Sequence, residues 1–424
     1  DRDHDGTVDT DDITPGDPDN PYRGGLGDHG VGTPAPVPIG GLLVRGGDTS
    51  FNASAQVFSS ASSPQEIELD LTGALTDNNA DDPGSDGEDA FDTDIYTASR
   101  DAAFNYSYDR LGRLVITATG GVGSTSEDID TSVAELAVLN NDVVGQSSDV
   151  VISNVGELDN QGVTNWDSGN IIITANSPQT ISSDQIATGS GSVYLQATED
   201  GGGDDTLTIN EEITLQSDTG DIVLVAGQDI DVQNDGTDIS AVTGGNGMIA
   251  LYADVNGTLN LTLKDGTVVS HTDTAQNDGA IDLGSDNSVI AQRGNENITL
   301  TADHALTVVD VIAAGGTVTA DNADDALFTL NGAIEGFDGV TVGSSAGSDD
   351  INLDGNINAT DGNVTLNGAV TLAADVALAS ANDDVAITGD VTEDGTNRTL
   401  TVSALNGTAD FQSTVGNGAN NLGT

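Results

Sequence analysis

The sequence predicts an all-β chain: an elongated parallel β-helix (β-solenoid) with an N-terminal extended leader and a small β cap or β domain. Three observations carry that expectation. A strand-like phrase returns about every 24 residues through the second half of the chain. Glycine reaches 54 residues, whereas aromatic residues make up only 3%. No stretch sustains a helical period. So few aromatic side chains fill a thick globular core poorly, but a thin core of Val, Ile, Leu and Ala between frequent turns suits stacked coils of short strands.

The leader comes first. Residues 1–40 hold most of the prolines and few apolar residues before VPIGGLLV. They open with DRDHDGTVDTDD, whose spacing is that of a calcium loop. Asp1, Asp3 and Asp5 are placed to give side-chain oxygens and Thr7 a backbone carbonyl. Asp9 is placed to bind directly or through water, Asp12 supplies the closing carboxylate, and Gly6 permits the sharp turn. Ca2+ is therefore the expected cofactor. The loop resembles both dockerin loops and the Asp-rich calcium repeats of thrombospondin type 3. The following DITPGDPDN supplies no helix, which matches the second pattern better. An acidic flexible leader is the competing reading.

Residues 41–165 read as a β-rich N-terminal domain or cap. Strand-like pieces such as EIELDL and RLVITAT flank a solvated acidic loop, TDNNADDPGSDGEDAFDTD. Residues 166–424 then form the expected solenoid. GNIIIT, GSVYLQ, GDIVLV, GMIALY, GAIDLG, ENITLT, GTVTAD, DGVTVG, GNVTLN and DVAITG each set a turn residue before an apolar–x–apolar alternation. The anchors Ile171, Val193, Ile222, Ile249, Ile281, Ile298, Val318, Val340, Val364 and Val385 mark one coil each. The longer spacings accommodate loop excursions such as GGGDDT and VVSHTDTAQND. An antiparallel sandwich array is the alternative, although it would not require a phrase returning on this period.

Within that region, GNENITLTADHALTV, AAGGTVTADN and DGNVTLNGAVTLAAD resemble the repeats of filamentous-haemagglutinin-type bacterial adhesins, over roughly residues 166–410. The resemblance implies a secreted or surface-attached parallel β-helix acting as a stalk, adhesin or matrix component. The secretion domain of that family is not recognisable in residues 1–165.

Charge narrows the partners. Nine basic residues against 70 acidic ones give −61, and Lys264 is the only lysine. That field repels nucleic acid and attracts cations. Cysteine is absent, so there is no disulfide or thiolate chemistry. No apolar run is long enough for a transmembrane segment. The chain begins without Met or a signal peptide, which suggests processing or excision from a longer precursor.

Paired aspartates precede several strands: Asp204/Asp205, Asp324/Asp325, Asp349/Asp350 and Asp383/Asp384. Stacking would bring some into register as cation sites, but turn-forming aspartate is the simpler reading. A polysaccharide-active parallel β-helix would also carry acidic clusters. Here His4, His29, His271 and His304 are scattered, bases are nearly missing, and one tryptophan offers little sugar stacking, so no catalytic residue is assigned. The GSSAG match around Ser345 lacks the helix a nucleophile elbow needs. Nine Asn-x-Ser/Thr sequons reflect an Asn- and Thr-rich composition.

The expected role is an extracellular or cell-surface structural and adhesive module, calcium-stabilised. It would self-associate into a filament or continue into a larger surface protein, with a host surface or glycan as a possible target. The rivals are a polysaccharide-active β-helix enzyme and a halophile surface-layer protein.

Overall fold

The computed structural model describes residues 42–46, 49–51, 57–60, 66–77, 95–100, 106–107, 112–141 and 148–416. The last range omits 167, 177, 199–203, 234–237, 242–246, 274–278, 285–288, 293–295, 323–325 and 345–348. The described elements are strands, and the ladders stacked between coils are parallel. The chain divides into two compact units, 1–191 and 192–424.

In the first unit, Leu42–Gly46, Glu66–Leu71, Arg113–Ala118, Glu135–Asn140 and Leu158–Asn165 pair side by side in parallel. A second ladder joins Val57–Ser60, Ile95–Arg100, Ile129–Ser132, Val150–Asn154 and Ile171–Ala175. The long strand Leu158–Asn165 then serves two shorter ones, Gln179–Ile181 and Gln185–Ala187. Buried amides bond to one another and to the backbone beside it: Asn140 Nδ2 donates to Asn165 Oδ1 at 2.8 Å, and Asn165 Nδ2 donates to the Asn170 carbonyl at 2.9 Å. Such internal amide ladders meet the polar demand of a coil that turns sharply away from its sheet.

In the second unit each full coil contributes three short strands, one to each of three faces. The first face stacks Val193–Ala197, Ile222–Ala226, Ile249–Ala253, Ile298–Ala302, Thr317–Asn322, Gly339–Val342, Val364–Leu366, Val385–Ile387 and Ala409–Phe411. The second face runs from Leu207–Ile209 through Ile230–Val232 and Ile281–Asp282 to Val391–Glu393. The third runs from Thr214–Ser217 to Leu400–Ala404. Ile222, Ile249, Ile298, Val318, Val340, Val364 and Val385 meet in unbroken register, and all are buried. Like stacked on like keeps the bore of successive coils constant, so each anchor fills the space its neighbour leaves.

Coils approach closely at their corners. A Cβ placed on Gly247 would lie 1.8 Å from the Gly220 carbonyl oxygen, which explains why the phrase so often opens with glycine.

The expected all-β parallel solenoid is therefore present. The register differs from the sequence reading at one anchor. Ile281 belongs to the second face, between Ile230 and Leu306, and Ile249 pairs directly with Ile298. The intervening length holds an antiparallel hairpin, Gly257–Thr262 with Val268–Asp273. VVSHTDTAQND is thus a strand in its first half rather than a loop excursion.

Candidate functional site

Side chains alternate across a strand, so in Ile222–Ala226 the residues Ile222, Leu224 and Ala226 enter the core and Val223 and Val225 point outward. Yet Val223 is 0% and Val225 1% exposed, and on the adjoining strands outward Tyr194 is 2% and Ala250 0% exposed. An outward apolar row sealed from water needs a cover, and the hairpin supplies it.

The hairpin leaves the stack after Asp254 and turns at Gly257, both at positive φ (50° and 101°). Its inward residues Leu259, Leu261, Leu263, Val269, His271 and Asp273 are buried or half-buried. Its outward residues Thr258, Asn260, Thr262, Val268, Ser270 and Thr272 are exposed. Polar contacts fix it in place. The Tyr194 hydroxyl donates to Gln196 Oε1, and Gln196 Nε2 lies 3.0 Å from His271 Nδ1. At the tip, Lys264 Nζ lies 3.9 Å from Glu296. We refer to this hairpin as the strap.

The covered ground is electrostatically distinct. Burial pushes the Asp221 carboxyl up, opposed by backbone hydrogen bonds from Met248 and Lys264 and by the Lys264 charge. Burial also raises the phenols of Tyr194 and Tyr252. The buried phenol and imidazole serve docking of the strap and are closed to bulk solvent.

The aspartates that precede strands have a different task. Asp384 Oδ1 accepts the Thr408 amide at 2.7 Å and the Thr408 hydroxyl at 2.8 Å; Asp375 accepts the Thr399 amide, and Asp310 the Ala333 amide. Each holds the backbone of the next coil at a corner, a contact between coils rather than the turn role expected of the paired aspartates, and of these three only Asp384 belongs to such a pair. Asp349, fully buried at the head of its strand, accepts from the Ser344 amide. Among the described residues no group of three or more Asp, Glu or His side chains is placed to hold a metal ion.

Asp1, Asp3, Asp5, Thr7, Asp9 and Asp12 lie outside the described residues, as do Asp324, Asp325 and Ser345. Of the four histidines, His271 enters the strap contact, which was not anticipated. Two sequence signals pointed there. GSVYLQ, GDIVLV and GMIALY are nearly continuous apolar runs, the mark of a strand buried on both faces, whereas ENITLT and GNVTLN alternate. GTLNLT and VVSHTD are also separated by five residues containing Asp265–Gly266, a hairpin signal. No protein-family model, curated protein or solved structure matches the chain.

Proposed function

We propose that the chain is a non-catalytic structural and adhesive module of an extracellular surface, of the filamentous-haemagglutinin-like kind: a stalk, matrix component or filament subunit. In this reading calcium orders its acidic leader through Asp1, Asp3, Asp5, Thr7, Asp9 and Asp12. The observation that carries the reading is the unbroken ladder of the second unit, where equivalent residues stack from Ile222 to Val385 and corner carboxylates hold the adjoining coil. Sequence devoted to repetition in this way favours a scaffold, because a solenoid's working surface is its repeated face.

Assembly along the stack has support as well. The strands Leu400–Ala404 and Ala409–Phe411 are each paired on one side among the described residues, and Leu405 and Phe411 are exposed there. A further coil, in the same polypeptide or in a second copy, would cover them.

Electron microscopy joined to circular dichroism tests the reading, in calcium, in EGTA and across salt concentrations. Rods or filaments that shorten or loosen in EGTA are expected. Rods indifferent to EGTA would remove calcium from the proposal. Compact particles that turn over acidic glycans would replace a scaffold with an enzyme.

A further inference from the structure

The free edge of the strap stands over uncovered coils. His271, on Val268–Asp273, meets Gln196 of Val193–Ala197, whereas Lys264 at the tip reaches Glu296, just before Ile298–Ala302. Val268–Asp273 therefore lies toward Val193–Ala197, and Gly257–Thr262 lies toward Ile298–Ala302. Among the described residues Gly257–Thr262 pairs with no strand but Val268–Asp273. The Leu263 amide donates to the Thr267 carbonyl at 2.7 Å, and bonded pairs alternate from there, so Leu261/Val269 and Leu259/His271 are bonded pairs. The backbone N–H and C=O groups of Thr258, Asn260 and Thr262 thus point away from the hairpin, along the face of the coils.

Edge and coils together make a shelf. Its wall is that row of backbone groups, with Leu259 and Leu261 half-buried at the foot. Its floor is the outward row of the next coils: Thr299 and Thr301, then Thr319 and Asp321 beside them in register, all half-buried. Sheet layers pack about 10 Å apart and neighbouring strands about 4.8 Å apart, so the shelf is one strand high and a strand added at the wall lies above Ile298–Ala302. A partner with bulk of its own at that edge would strike the coils. A lone extended segment would not.

Chemistry selects the segment. GTLNLT has no ionisable residue and no proline, so nothing along the wall discourages pairing. The floor holds one carboxylate, Asp321. Among the described residues it has no basic partner, and one of its oxygens is buried without a hydrogen bond. Burial raises that carboxyl, and a cation beside it would offset the lost solvation. The net charge of −61 attracts basic segments and repels acidic ones, a second copy of this chain included.

We propose that this shelf captures an extended, basic segment of another protein by adding it to the strap as a third strand. Main-chain hydrogen bonds to Thr258, Asn260 and Thr262, about six in all, supply affinity that tolerates sequence. Alternate side chains of the segment lie on Thr299 and Thr301, a lysine or arginine reaches Asp321, and Leu259 and Leu261 lose their remaining exposure. The inference names a partner class for the adhesive reading and rests on it.

Because capture is through the main chain, a model peptide tests it: a capped, fluorescent strand of about eight residues alternating valine and threonine, its central residue lysine, norleucine or glutamate. Anisotropy with the full chain should rank affinity as lysine, norleucine, glutamate, and the differences should narrow near 1 M salt, where screening shortens to about 3 Å. Hydrogen exchange should slow at the amides of Thr258, Asn260 and Thr262. Asn260→Pro removes an edge donor that the hairpin does not use, so it should weaken every peptide at least about tenfold with circular dichroism unchanged. Asp321→Asn should weaken the lysine peptide alone, by about three- to fivefold. A lysine peptide that fails to bind at about 1 mM, or binds without slowing exchange at those three amides, overturns the proposal; so does binding indifferent to Asn260→Pro. Microscopy separates the two readings. Peptide capture by particles that form no rods keeps the shelf and sinks the scaffold, whereas rods that capture nothing keep the scaffold alone.

Discussion

Two neighbouring stretches of the first face share a core and differ in everything outside it. Ile222–Ala226 reads IVLVA and is buried at all five positions, whereas Ile298–Ala302 reads ITLTA and alternates. Their inward residues stack in one ladder through Ile249–Ala253. Only the outward letters change, from Val223 and Val225 under the strap to Thr299 and Thr301 beyond it. The coil thus records on its outer face whether another element lies on top, while the inner face records only that coils stack.

If the inner ladder is common to both stretches, deleting its bulk should hurt both equally. Leu224→Ala and Leu300→Ala each remove a fully buried side chain from between two coils, and each should cost about 2–5 kcal/mol. Urea unfolding of both variants checks this. A marked inequality would mean that the strap, and not the ladder, carries stability where it lies.

The outward row should separate the stretches. Val225→Thr writes the bare-coil letter beneath the strap, burying a hydroxyl where the surroundings are apolar, at a cost of about 1–3 kcal/mol. The reciprocal Thr301→Val changes a half-buried residue on an uncovered face and should stay within about 0.5 kcal/mol. Equal effects at the two sites would break the comparison.

That contrast also marks what was legible beforehand. The anchors from Ile222 to Val385 could be read because each must match its neighbours in size and phase, so the sequence repeats them. The face to which an anchor belongs could not be read in the same way. GAIDLG obeys the same turn-then-alternation rule as ENITLT, since second-face strands also bury one side, and the rule alone sets Ile281 one face out of step. The strap was obscured because its strands carry Thr, Asn and Ser on the surface exposed to water and polar His271 and Asp273 on the buried one. The run of outward apolar residues in the coils beneath and the Asp265–Gly266 turn signal between its strands were the two marks it left. The relay from Tyr194 through Gln196 to His271 spans 77 positions of sequence, from 194 to 271, and no local pattern encodes it.

Titration should pull the covered coils and the last coils in opposite directions. Burial raises Asp221, Asp229 and Asp231; the neighbouring carboxylates of Asp254 and Asp204 add to the effect at Asp229, and that of Asp282 at Asp231. Groups raised in the folded state bind protons more tightly than in the unfolded chain. Their stabilising effect is present at low pH and is lost as pH rises through the raised values. Asp384, Asp390 and Asp394 are lowered by hydrogen bonds at exposed corners, Asp390 to about 2 through the Ser413 and Thr414 hydroxyls and the Thr414 amide. Their contribution is present above the ordinary carboxyl range near 3.8 and fades as pH falls toward the folded values. Hydrogen exchange, corrected for its intrinsic pH dependence, should show Ile222–Val232 holding or gaining protection on mild acidification. The strands Val385–Ile387 and Ala409–Phe411 should open first below the ordinary carboxyl range. Uniform loss across both regions would assign acid unfolding to net charge instead.

The smallest effect concerns the only lysine. Lys264 faces Glu296 at 3.9 Å with both side chains partly exposed, a geometry worth at most about 1 kcal/mol. Leu263 and His271 are buried and Gln196 meets His271, so Lys264→Gln should leave the strap closed and lower stability by a few tenths of a kcal/mol in dilute buffer. The difference should disappear near 1 M salt, where screening shortens to about 3 Å. A loss that survives such salt would point to the other bond made by that residue, its backbone hydrogen bond to Asp221. That bond needs the tip to be correctly folded and does not depend on the ammonium group. Comparing Lys264→Gln with Lys264→Arg then distinguishes charge from conformation: the arginine restores the first, and neither variant repairs a displaced tip.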